Sequence, residues 1–321
     1  MPGEFALIER IRARARARPD VVLGIGDDAA LLRVPAGHEL VVTSDTLVAG
    51  VHFPDHTAPA DLGHKALAVS LSDLAAMAAL PAWCTLALTL PQADADWLEA
   101  FLDGFLALAD EHAVSLVGGD TTRGSLSITV TAHGLVPEGQ ALRRDGARDG
   151  DDLWVTGTLG DAAGALAQWR ARAPASAKLR YRLDRPTPRI ATGFALRGLA
   201  RAAIDLSDGL LADLGHVLAA SGGLGAQLDL GRVPVSRILA EHFPDEARRW
   251  ELQLSGGDDY ELCFTAPPSA AFAIEAALAA CDTPATVIGQ VQAAAGLRLI
   301  TPAGELWTPP AAGYQHFQGA H

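Results

Sequence analysis

The sequence predicts a two-domain protein of mixed α/β or α+β class. Hydrophobic strand patterns alternate with amphipathic helix patterns in both halves of the chain, which is typical of domains built from helices packed on sheets. A length of 321 residues, with 49% hydrophobic and 20% charged residues, is enough for two globular cores. Between Pro137 and Asp152 the composition shifts to Gly, Arg and Asp. We therefore place an N-terminal domain at 1–137 and a C-terminal domain at 138–321.

The first half contains three predicted helices and at least four extended segments. The segment HKALAVSLSDLAAMAAL predicts a helix with Leu67, Leu71 and Leu74 on one apolar stripe, and with Asp73 off that stripe beside Ser70. In order, the predicted elements are a helix over 5–16, a strand over 21–25, a strand over 39–43 that ends in an acid and is followed by a second extended piece, a helix over 64–80, a helix over 97–111, and the strands VSLVGGD and SLSITVTAHGLV.

The second half repeats strand, turn and helix. DDLWVTG predicts a strand, and TLGDAAGALAQWR predicts a turn that leads into a helix. RAAIDLSDGLLADLGHVLAA predicts a strand, a turn and a second helix. A third strand-turn unit is predicted in WELQLSGGDDYELCF.

Composition excludes several classes of function. A net charge of −13 argues against a nucleic-acid-binding protein, which would carry a basic surface. The uncharged stretch 74–93 is interrupted by two prolines and two threonines, so we predict no membrane segment. Cys84, Cys263 and Cys281 are odd in number and form no CxxC pair, which favours a reduced chain in the cytoplasm without disulfides or a zinc knuckle.

One short pattern recurs along the chain: an apolar strand, one or two small residues, and then aspartate. A single aspartate of this kind is more often a turn residue or a helix cap than a ligand. Several of them at strand ends favour a shared site, because ligands of sheet proteins bind where strands end. The acids are Asp27 and Asp28, Asp45, Asp120, Asp205 and Asp208, Asp258 and Asp259, with Asp73 as a further acid in an apolar helix.

Gathered carboxylates favour a magnesium site. Two carboxylates in close contact repel each other by ~4 kcal/mol at an effective dielectric constant near 20, and a divalent cation relieves this repulsion. His52 and His56 are four residues apart, but Pro54 between them excludes the helix that a zinc-binding HExxH motif requires. Mg²⁺ beside glycine-flanked turns is typical of phosphoryl transfer.

The common nucleotide-binding motifs do not fit. GxxxxGK[ST] is absent from the sequence. Gly24, Gly26 and Ala29 match the spacing of a dinucleotide fingerprint, but Asp27 and Asp28 stand where a pyrophosphate would bind. A Rossmann dehydrogenase is therefore disfavoured.

A set of motifs runs in order from Gly3 to Phe317: GEFALIERI, LGIGDDAALL, TSDTLVAGVHF, KALAVSLSDLAAMAALPAW, LVGGDTTRG, VTGTLGDAAG, IDLSDGLLADLGH, LSGGDDYELCFT and GYQHF. Together they resemble the thiamine-monophosphate kinase family. That family belongs to the superfamily of aminoimidazole-ribonucleotide synthetase and selenophosphate synthetase. GIGDD alone would indicate only the superfamily, whereas the segments SLSDLAAMAA, SGGDDYEL and GGDTTRG resemble motifs specific to the kinase.

The resemblance implies a fold and a reaction. The N-terminal sheet would pair with its copy across a homodimer, and an α/β domain would follow. The reaction would transfer the γ-phosphoryl group of ATP to thiamine phosphate over several Mg²⁺ ions, giving thiamine diphosphate. Two alternatives remain open: another ATP-dependent synthetase of the superfamily, or a non-catalytic module that binds metal and nucleotide. A selenophosphate-type enzyme would carry a reactive cysteine near its N-terminus, and the first cysteine here is Cys84.

The resemblance also assigns roles to residues. The family usually has glutamate where this chain has Asp258. The metal positions are Asp28, Thr43, Ser44, Asp45, Asp73, Asp120, Asp205 and Asp208, to which the paired acids add Asp27. The nucleotide positions are Gly119, Asp120, Arg144 and Ser207, and the substrate positions are His52, Asp258 and Tyr314. We expect Asp28, Asp73, Asp120 and Asp208 to be the acids on which catalysis depends most.

Overall fold

The computed structural model describes residues 4–54, 56–174, 176–310 and 313. The chain divides into two compact units. The first comprises Met1–Leu74 and Ala79–Ala141, and the second comprises Ala75–Ala78 and Leu142–His321. Each unit contains both helices and sheet, so the predicted mixed class is confirmed.

The first unit is built on a four-stranded sheet with the strand order β3-β6-β4-β5, and a separate two-stranded ribbon pairs β1 with β2. The pairs β3–β6 and β6–β4 are antiparallel, and β4–β5 is parallel. The elements are α1 (Glu4–Arg14), β1 (Val21–Leu23), β2 (Leu31–Leu32), β3 (His38–Val48), α2 (Pro59–Ala76), β4 (Leu80–Leu90), α3 (Ala95–Glu111), β5 (Ser115–Arg123) and β6 (Ser127–Pro137).

The two faces of this sheet differ in burial. On β6, Ile128, Val130 and Ala132 are buried, whereas the residues between them are partly exposed. Side chains alternate across a strand, so one face of the sheet is covered and the other is open. Helix α2 lies on the covered face, where Ser70 donates a hydrogen bond to a sheet carboxylate, that of Asp45 on β3.

The second unit is built on a seven-stranded sheet with the order β13-β12-β9-β11-β7-β10-β8. Its described strand pairs are antiparallel except β12–β9. The elements are β7 (Asp152–Thr156), α4 (Asp161–Arg170), α5 (Ala177–Asp184), α6 (Ile190–Leu196), β8 (Ala202–Asp205), α7 (Leu210–Ala220), β9 (Gly225–Asp229), α8 (Arg237–His242), α9 (Glu246–Ser255), β10 (Leu262–Ala266), α10 (Ala271–Ala279), β11 (Ala285–Gln292), β12 (Gly296–Ile300) and β13 (Leu306–Trp307).

The core of the second unit lies between this sheet and α7. Val155, Ile204 and Cys263 from the strands pack in one cluster with Leu214 and Val217 from the helix. Strands β7 and β8 are thus anchored in the core by their apolar residues. Polar loops extend from the ends of these two strands.

The prediction of a strand over 39–43 that ends in an acid is wrong. Strand β3 is a single strand of 11 residues that continues through Asp45, and β5 likewise continues through Asp120. Thr43 and Ser44 look like turn residues in isolation, but the full length of β3 pairs with β6, from His38 to Val48. Asp45 and Asp120 therefore lie inside strands and not at strand ends.

The predicted strand in WELQLS is also wrong. These residues end helix α9, which begins after Asp245, whose side chain accepts a hydrogen bond from the N–H of Arg248 at 2.8 Å. Leu252 and Leu254 are buried. The loop that contains Asp258 thus connects a helix to β10.

No helix among the described residues is both long enough and apolar enough to cross a membrane.

Candidate active site

Two predicted acids of the first unit are neighbours at the interface of β3 and α2. Thr43 and Asp45 occupy alternate positions on the covered face of β3, opposite Ser70 and Asp73 of α2. The Thr43 hydroxyl donates a hydrogen bond to Asp73 Oδ2, and the Ser70 hydroxyl donates to Asp45 Oδ2 at 2.7 Å. The spacing of three residues on α2 places Ser70 and Asp73 on the same side of the helix.

Asp45 lies in an unfavourable electrostatic environment for an anion. Burial, and then the negative charge of Asp73, raise the pKa of Asp45 to about 6, and the Ser70 hydrogen bond partly opposes this increase. Within the described part of the chain, no lysine, arginine or histidine pairs with either carboxylate. The pair thus carries negative charge that the protein itself does not neutralise.

Asp27 and Asp28 lie in the exposed turn between β1 and β2. The Asp28 N–H donates to Asp27 Oδ1 at 2.8 Å. The guanidinium of Arg12 lies against Gly26, where an added Cβ would be 3.1 Å from its Cζ atom. The turn therefore presents two carboxylates to solvent.

Asp120 lies on the other face of the same sheet. Register pairs Asp45 with Val130 on the covered face, and pairs Asp120 with Ala87 on the open face. Because β3 and β5 are the two edges of the sheet, three strand spacings, roughly 14 Å, separate the backbones of the two acids. Within one copy of this unit, Asp45 and Asp120 do not contact the same ion.

Ser44 and Gly119 have local structural roles as well. Ser44 lies on the open face, 3.0 Å from the hydroxyl of Thr131 on β6. An added Cβ at Gly119 would overlap the carbonyl of Leu86 on β4, so the strands pack too closely for a side chain at that position.

His52, which is predicted to contact the substrate, lies in the turn after β3. The N–H of Val48 donates to His52 Nδ1 at 3.0 Å. A neutral imidazole that accepts at Nδ1 carries its proton on Nε2.

The predicted residues of the second unit converge on two loops that are hydrogen-bonded to each other. Asp205 is the buried last residue of β8, and Ser207 and Asp208 follow it in the turn before α7. The N–H of Asp258 donates to the Ser207 carbonyl at 2.9 Å. The candidate nucleotide residue Ser207 and the candidate substrate residue Asp258 are thus adjacent.

Sequence reasoning missed Asp213, which organises the first of these loops. Asp213 Oδ2 accepts hydrogen bonds from the N–H groups of Asp208 and Gly209, both at 3.1 Å. Burial raises the pKa of Asp213 to about 7, although those hydrogen bonds stabilise its charge. Ser70 was likewise recognised only as a neighbour of Asp73. The signals were spacings of three and five residues from a predicted acid, which are informative only once the helices are placed.

Two further predictions fall at the margins of the described structure. Arg144 is exposed, and its carbonyl accepts a hydrogen bond from the Ser221 hydroxyl at 3.0 Å. Tyr314 lies outside the described residues. Gly313 is described, and an added Cβ there would be 3.0 Å from the carbonyl oxygen of Asp208.

The donor set fits a hard cation, although the described residues form no closed metal site. Across residues 4–54, 56–174, 176–310 and 313, no group of three or more His, Cys, Asp or Glu side chains is close enough to hold a metal. Asp45, Asp73 and the hydroxyls beside them supply oxygen atoms only, which are the ligands that Mg²⁺ prefers. The unneutralised charge of Asp45 and Asp73 is the feature that such a cation would stabilise.

Two family models match the chain in order. The one described as AIR synthase related protein, N-terminal domain, matches residues 26–136, and the one described as AIR synthase related protein, C-terminal domain, matches residues 148–301. Together they span more than half of the chain.

Several proteins are similar to this chain over nearly their whole length. The thiamine-monophosphate kinase of Escherichia coli (strain K12) is 53% identical over 323 residues, which cover 98% of each chain. The crystal structure of thiamine-monophosphate kinase from Stenotrophomonas maltophilia K279a has a TM-score of 0.86 at 55% identity, over 92% of this chain and 96% of that one. A structure of AaThiL complexed with AMPPCP and TMP has a TM-score of 0.77 at 30% identity, over 98% of this chain and 97% of that one.

Proposed function

This chain belongs to the thiamine-monophosphate kinase family, and from that premise we propose how its own residues perform the reaction. The membership confirms the resemblance that the motifs indicate, together with the two-domain fold. The chain is a kinase that phosphorylates thiamine phosphate with ATP. Adding one phosphoryl group to thiamine phosphate gives thiamine diphosphate.

The observation that carries the mechanism is the acid pair of β3 and α2. Asp45 and Asp73 hold negative charge that only hydroxyl groups contact among the described residues. A protein retains such a pair at a cost in stability, and strain of this kind is typical of functional sites. We assign the pair to a divalent cation.

The residues proposed to hold Mg²⁺ lie in both units. Mg²⁺ bound there would neutralise the phosphates of ATP and thiamine phosphate and thereby lower the repulsion between them. Asp45 and Asp73 are the best-supported ligands, because each is a partly buried oxygen donor. The remaining proposed ligands are Asp27, Asp28, Thr43, Ser44, Asp120, Asp205 and Asp208.

The proposed nucleotide and substrate residues position two anions for in-line transfer. Arg144 is proposed to contact ATP phosphates, and Ser207, Gly119 and Asp120 are the other residues proposed to bind the nucleotide. A phosphate oxygen of the acceptor attacks the γ-phosphorus, and the bond to the leaving ADP oxygen breaks. The acceptor oxygen is already ionised near neutral pH, so no strong general base is needed. His52 would supply an N–H donor to the acceptor.

Asp258 and Tyr314 are proposed to complete the acceptor site. The shorter side chain of Asp258, where the family usually has glutamate, would reach its ligand through a water molecule. The hydrogen bond from the Asp258 N–H to Ser207 keeps this carboxylate beside the nucleotide loop.

We propose a homodimer formed through the first unit. Val42 on the edge strand β3 is 54% exposed and points to the open face, beside half-exposed threonines of β6. An exposed apolar edge strand is a surface that proteins usually cover. Because Asp45 and Asp120 lie far apart in one copy, a second copy would be needed to bring them to one site. A cytoplasmic location is also proposed, supported by three free cysteines.

The proposed function is tested by ADP release from the purified chain with Mg²⁺, ATP and thiamine phosphate. Turnover is expected only when the acceptor is present, and thiamine without its phosphate is the matched control acceptor. Tight ATP binding without turnover would instead favour a non-catalytic module. Turnover that needs an amidine or selenide acceptor would favour another synthetase of the superfamily.

A further inference from the structure

The loop that carries Asp258 has an unusual backbone. Asp258 and Tyr260 have φ values of 68° and 50°, in the left-handed region that L-residues with a side chain rarely adopt. Two such residues that flank a buried residue, Asp259, mark a segment whose conformation is imposed by its surroundings.

The other non-glycine residues with positive φ in the described structure have a local cause. Ala78, Ala113, Arg172 and Asp282 each follow a helix, and in each case the next residue donates its N–H to the carbonyl five residues before it. This hydrogen bond belongs to the Schellman motif, which ends helices with a left-handed residue. The segment 258–260 has no such bond, because Gly256 is already extended after α9.

Main-chain hydrogen bonds hold the strained segment against the nucleotide loop. The N–H of Asp258 donates to Ser207 O at 2.9 Å, and the N–H of Tyr260 donates to Leu206 O at 2.8 Å. The N–H of Leu206 in turn donates to the carbonyl of Glu261 at 2.9 Å. The conformation at 258–260 therefore depends on where Glu261 is fixed.

Glu261 is fixed by four hydrogen bonds from three side chains. Its side chain is 1% exposed, and it accepts from Arg182 Nη2 at 2.8 Å, from Arg189 Nε at 2.6 Å and Nη2 at 2.5 Å, and from Thr156 Oγ1 at 2.7 Å. A bidentate guanidinium contact, such as that of Arg189, sets both the position and the orientation of a carboxylate. The two arginines come from α5 and from the loop before α6.

Asp259 provides a second anchor on the same side of the segment. Both of its carboxylate oxygens accept the N–H of Gly160, at 2.9 and 3.0 Å. The backbone of the segment is thus fixed at Asp259 and Glu261. The Asp258 carboxylate is not one of these anchors, and it accepts a hydrogen bond from the Tyr260 hydroxyl at 3.2 Å.

We propose that Glu261, held by Arg182 and Arg189, is a positioning residue for phosphoryl transfer, because it fixes the 258–260 segment and so orients Asp258 toward the acceptor. The inference rests on the proposed function, in which Asp258 contacts thiamine phosphate. Glu261 itself touches no substrate in this account.

The test is a double-mutant cycle between Glu261→Gln and Asp258→Asn, measured as kcat/KM for thiamine phosphate at saturating ATP. Glu261→Gln removes the charge but keeps the shape, and misplacing Asp258 is expected to lower kcat/KM by about 10- to 100-fold. In the Asp258→Asn background the same change is expected to have less than about a twofold effect, because the residue through which it acts is already altered.

Asp151→Asn is the matched control. Asp151 is also 1% exposed and pairs with an arginine, Arg201, at 2.5 Å, but it lies at the other end of β7. This variant is expected to lower the unfolding temperature to a similar extent while changing kcat/KM less than about twofold. If Glu261→Gln does not fold, Arg189→Lys replaces it in the cycle. Lysine keeps the positive charge but loses the bidentate contact with Glu261.

The outcomes separate this inference from the proposed function. Equal fold-effects of Glu261→Gln in both backgrounds, or kcat/KM losses no larger than those of Asp151→Asn, would overturn the positioning role alone. An unchanged kcat/KM in Asp258→Asn would do so too. A wild-type chain that fails to phosphorylate thiamine phosphate would overturn the proposed function and this inference with it.

Discussion

Carboxylates withdrawn from water are compensated differently in the two units. In the first, the partly buried Asp45 and Asp73 receive hydrogen bonds, among the described residues, only from the hydroxyls of Ser70 and Thr43. In the second, Glu261 receives charged hydrogen bonds from two arginines. Both arrangements satisfy hydrogen-bonding groups, but only the second one balances charge.

The difference separates carboxylates that we propose to bind a cation from carboxylates that hold neighbouring loops in place. A buried carboxylate is stable when cations and hydrogen bonds compensate its lost hydration. Glu261 has that compensation within the protein, so it serves the architecture of the loops. Asp45 lacks it among the described residues, so we propose that a bound cation supplies the compensation. Carboxylates removed from water can therefore have two roles, and the presence or absence of a counter-charge in the protein separates them.

The largest expected effect comes from neutralising the uncompensated acid. Asp45→Asn is expected to lower kcat on the order of 10²-fold or more, because a cation that stabilises the transferred phosphoryl group loses a ligand. The metal-free protein should be equally stable or more stable, since repulsion from Asp73 is removed. Steady-state ADP release and thermal unfolding measure the two effects, with the surface variant Asp110→Asn as control. Near-wild-type kcat in Asp45→Asn would contradict the assignment.

Mixed dimers test whether the proposed site joins two copies. Asp45→Asn and Asp120→Asn chains are each expected to be nearly inactive alone. If one site takes Asp45 from one copy and Asp120 from the other, random mixing makes half of the dimers mixed, each with one intact site. About a quarter of wild-type kcat should then return. Co-purification through two different tags isolates the mixed species, and activity no higher than that of either variant would argue for sites within one copy.

The stability of the metal-free protein should depend on pH through Asp45. Its pKa is raised from 3.8 to about 6, so the folded state binds more protons than the unfolded state between those values. Stability is therefore expected to fall as the pH rises through this range, by on the order of 1 kcal/mol relative to Asp45→Asn. Urea unfolding at pH 4 to 7 in a chelator measures the difference. If the free energy of unfolding changed with pH in the same way in both proteins, the raised pKa of Asp45 would not explain the pH dependence.

The smallest expected effect is in the second unit. Asp213→Ala is expected to lower the free energy of unfolding by about 1 kcal/mol, because the N–H groups of Asp208 and Gly209 lose their acceptor. Asp213→Asn keeps a carbonyl oxygen there and should cost only a few tenths of a kcal/mol. Chemical unfolding compares the two variants. If Asn were as damaging as Ala, the charge of Asp213 and not its acceptor geometry would be what matters.

Local sequence patterns predicted most of the helices and strands. They failed where the pairing of strands distant in sequence determines how long a strand is. The helix over 97–111 and strand β7 follow from periodicity and local capping, such as the Asp94 side chain that accepts from Trp97 N. The sequence pattern places Asp45 at a strand end, because Thr43 and Ser44 resemble a turn. Only the pairing of β3 with the whole of β6 shows that the strand continues.

The candidate site was predicted in its chemistry more than in its geometry. The repeated aspartates indicate a cation whatever the fold. Which acids are neighbours depends on sheet order and register, and these separate Asp45 from Asp120. The supporting roles of Asp213 and Glu261 arise from contacts across 5 and up to 105 residues of sequence, which no local spacing reports.

The most direct measurement is a crystal structure of this chain grown with Mn²⁺, a non-hydrolysable ATP analogue and thiamine phosphate, with anomalous scattering used to locate the metal. We expect an anomalous peak about 2.1 Å from a carboxylate oxygen of Asp45 or Asp73, and none at Asp213 or Glu261. Anomalous peaks confined to other acids, with Asp45 and Asp73 uncoordinated, would contradict the account.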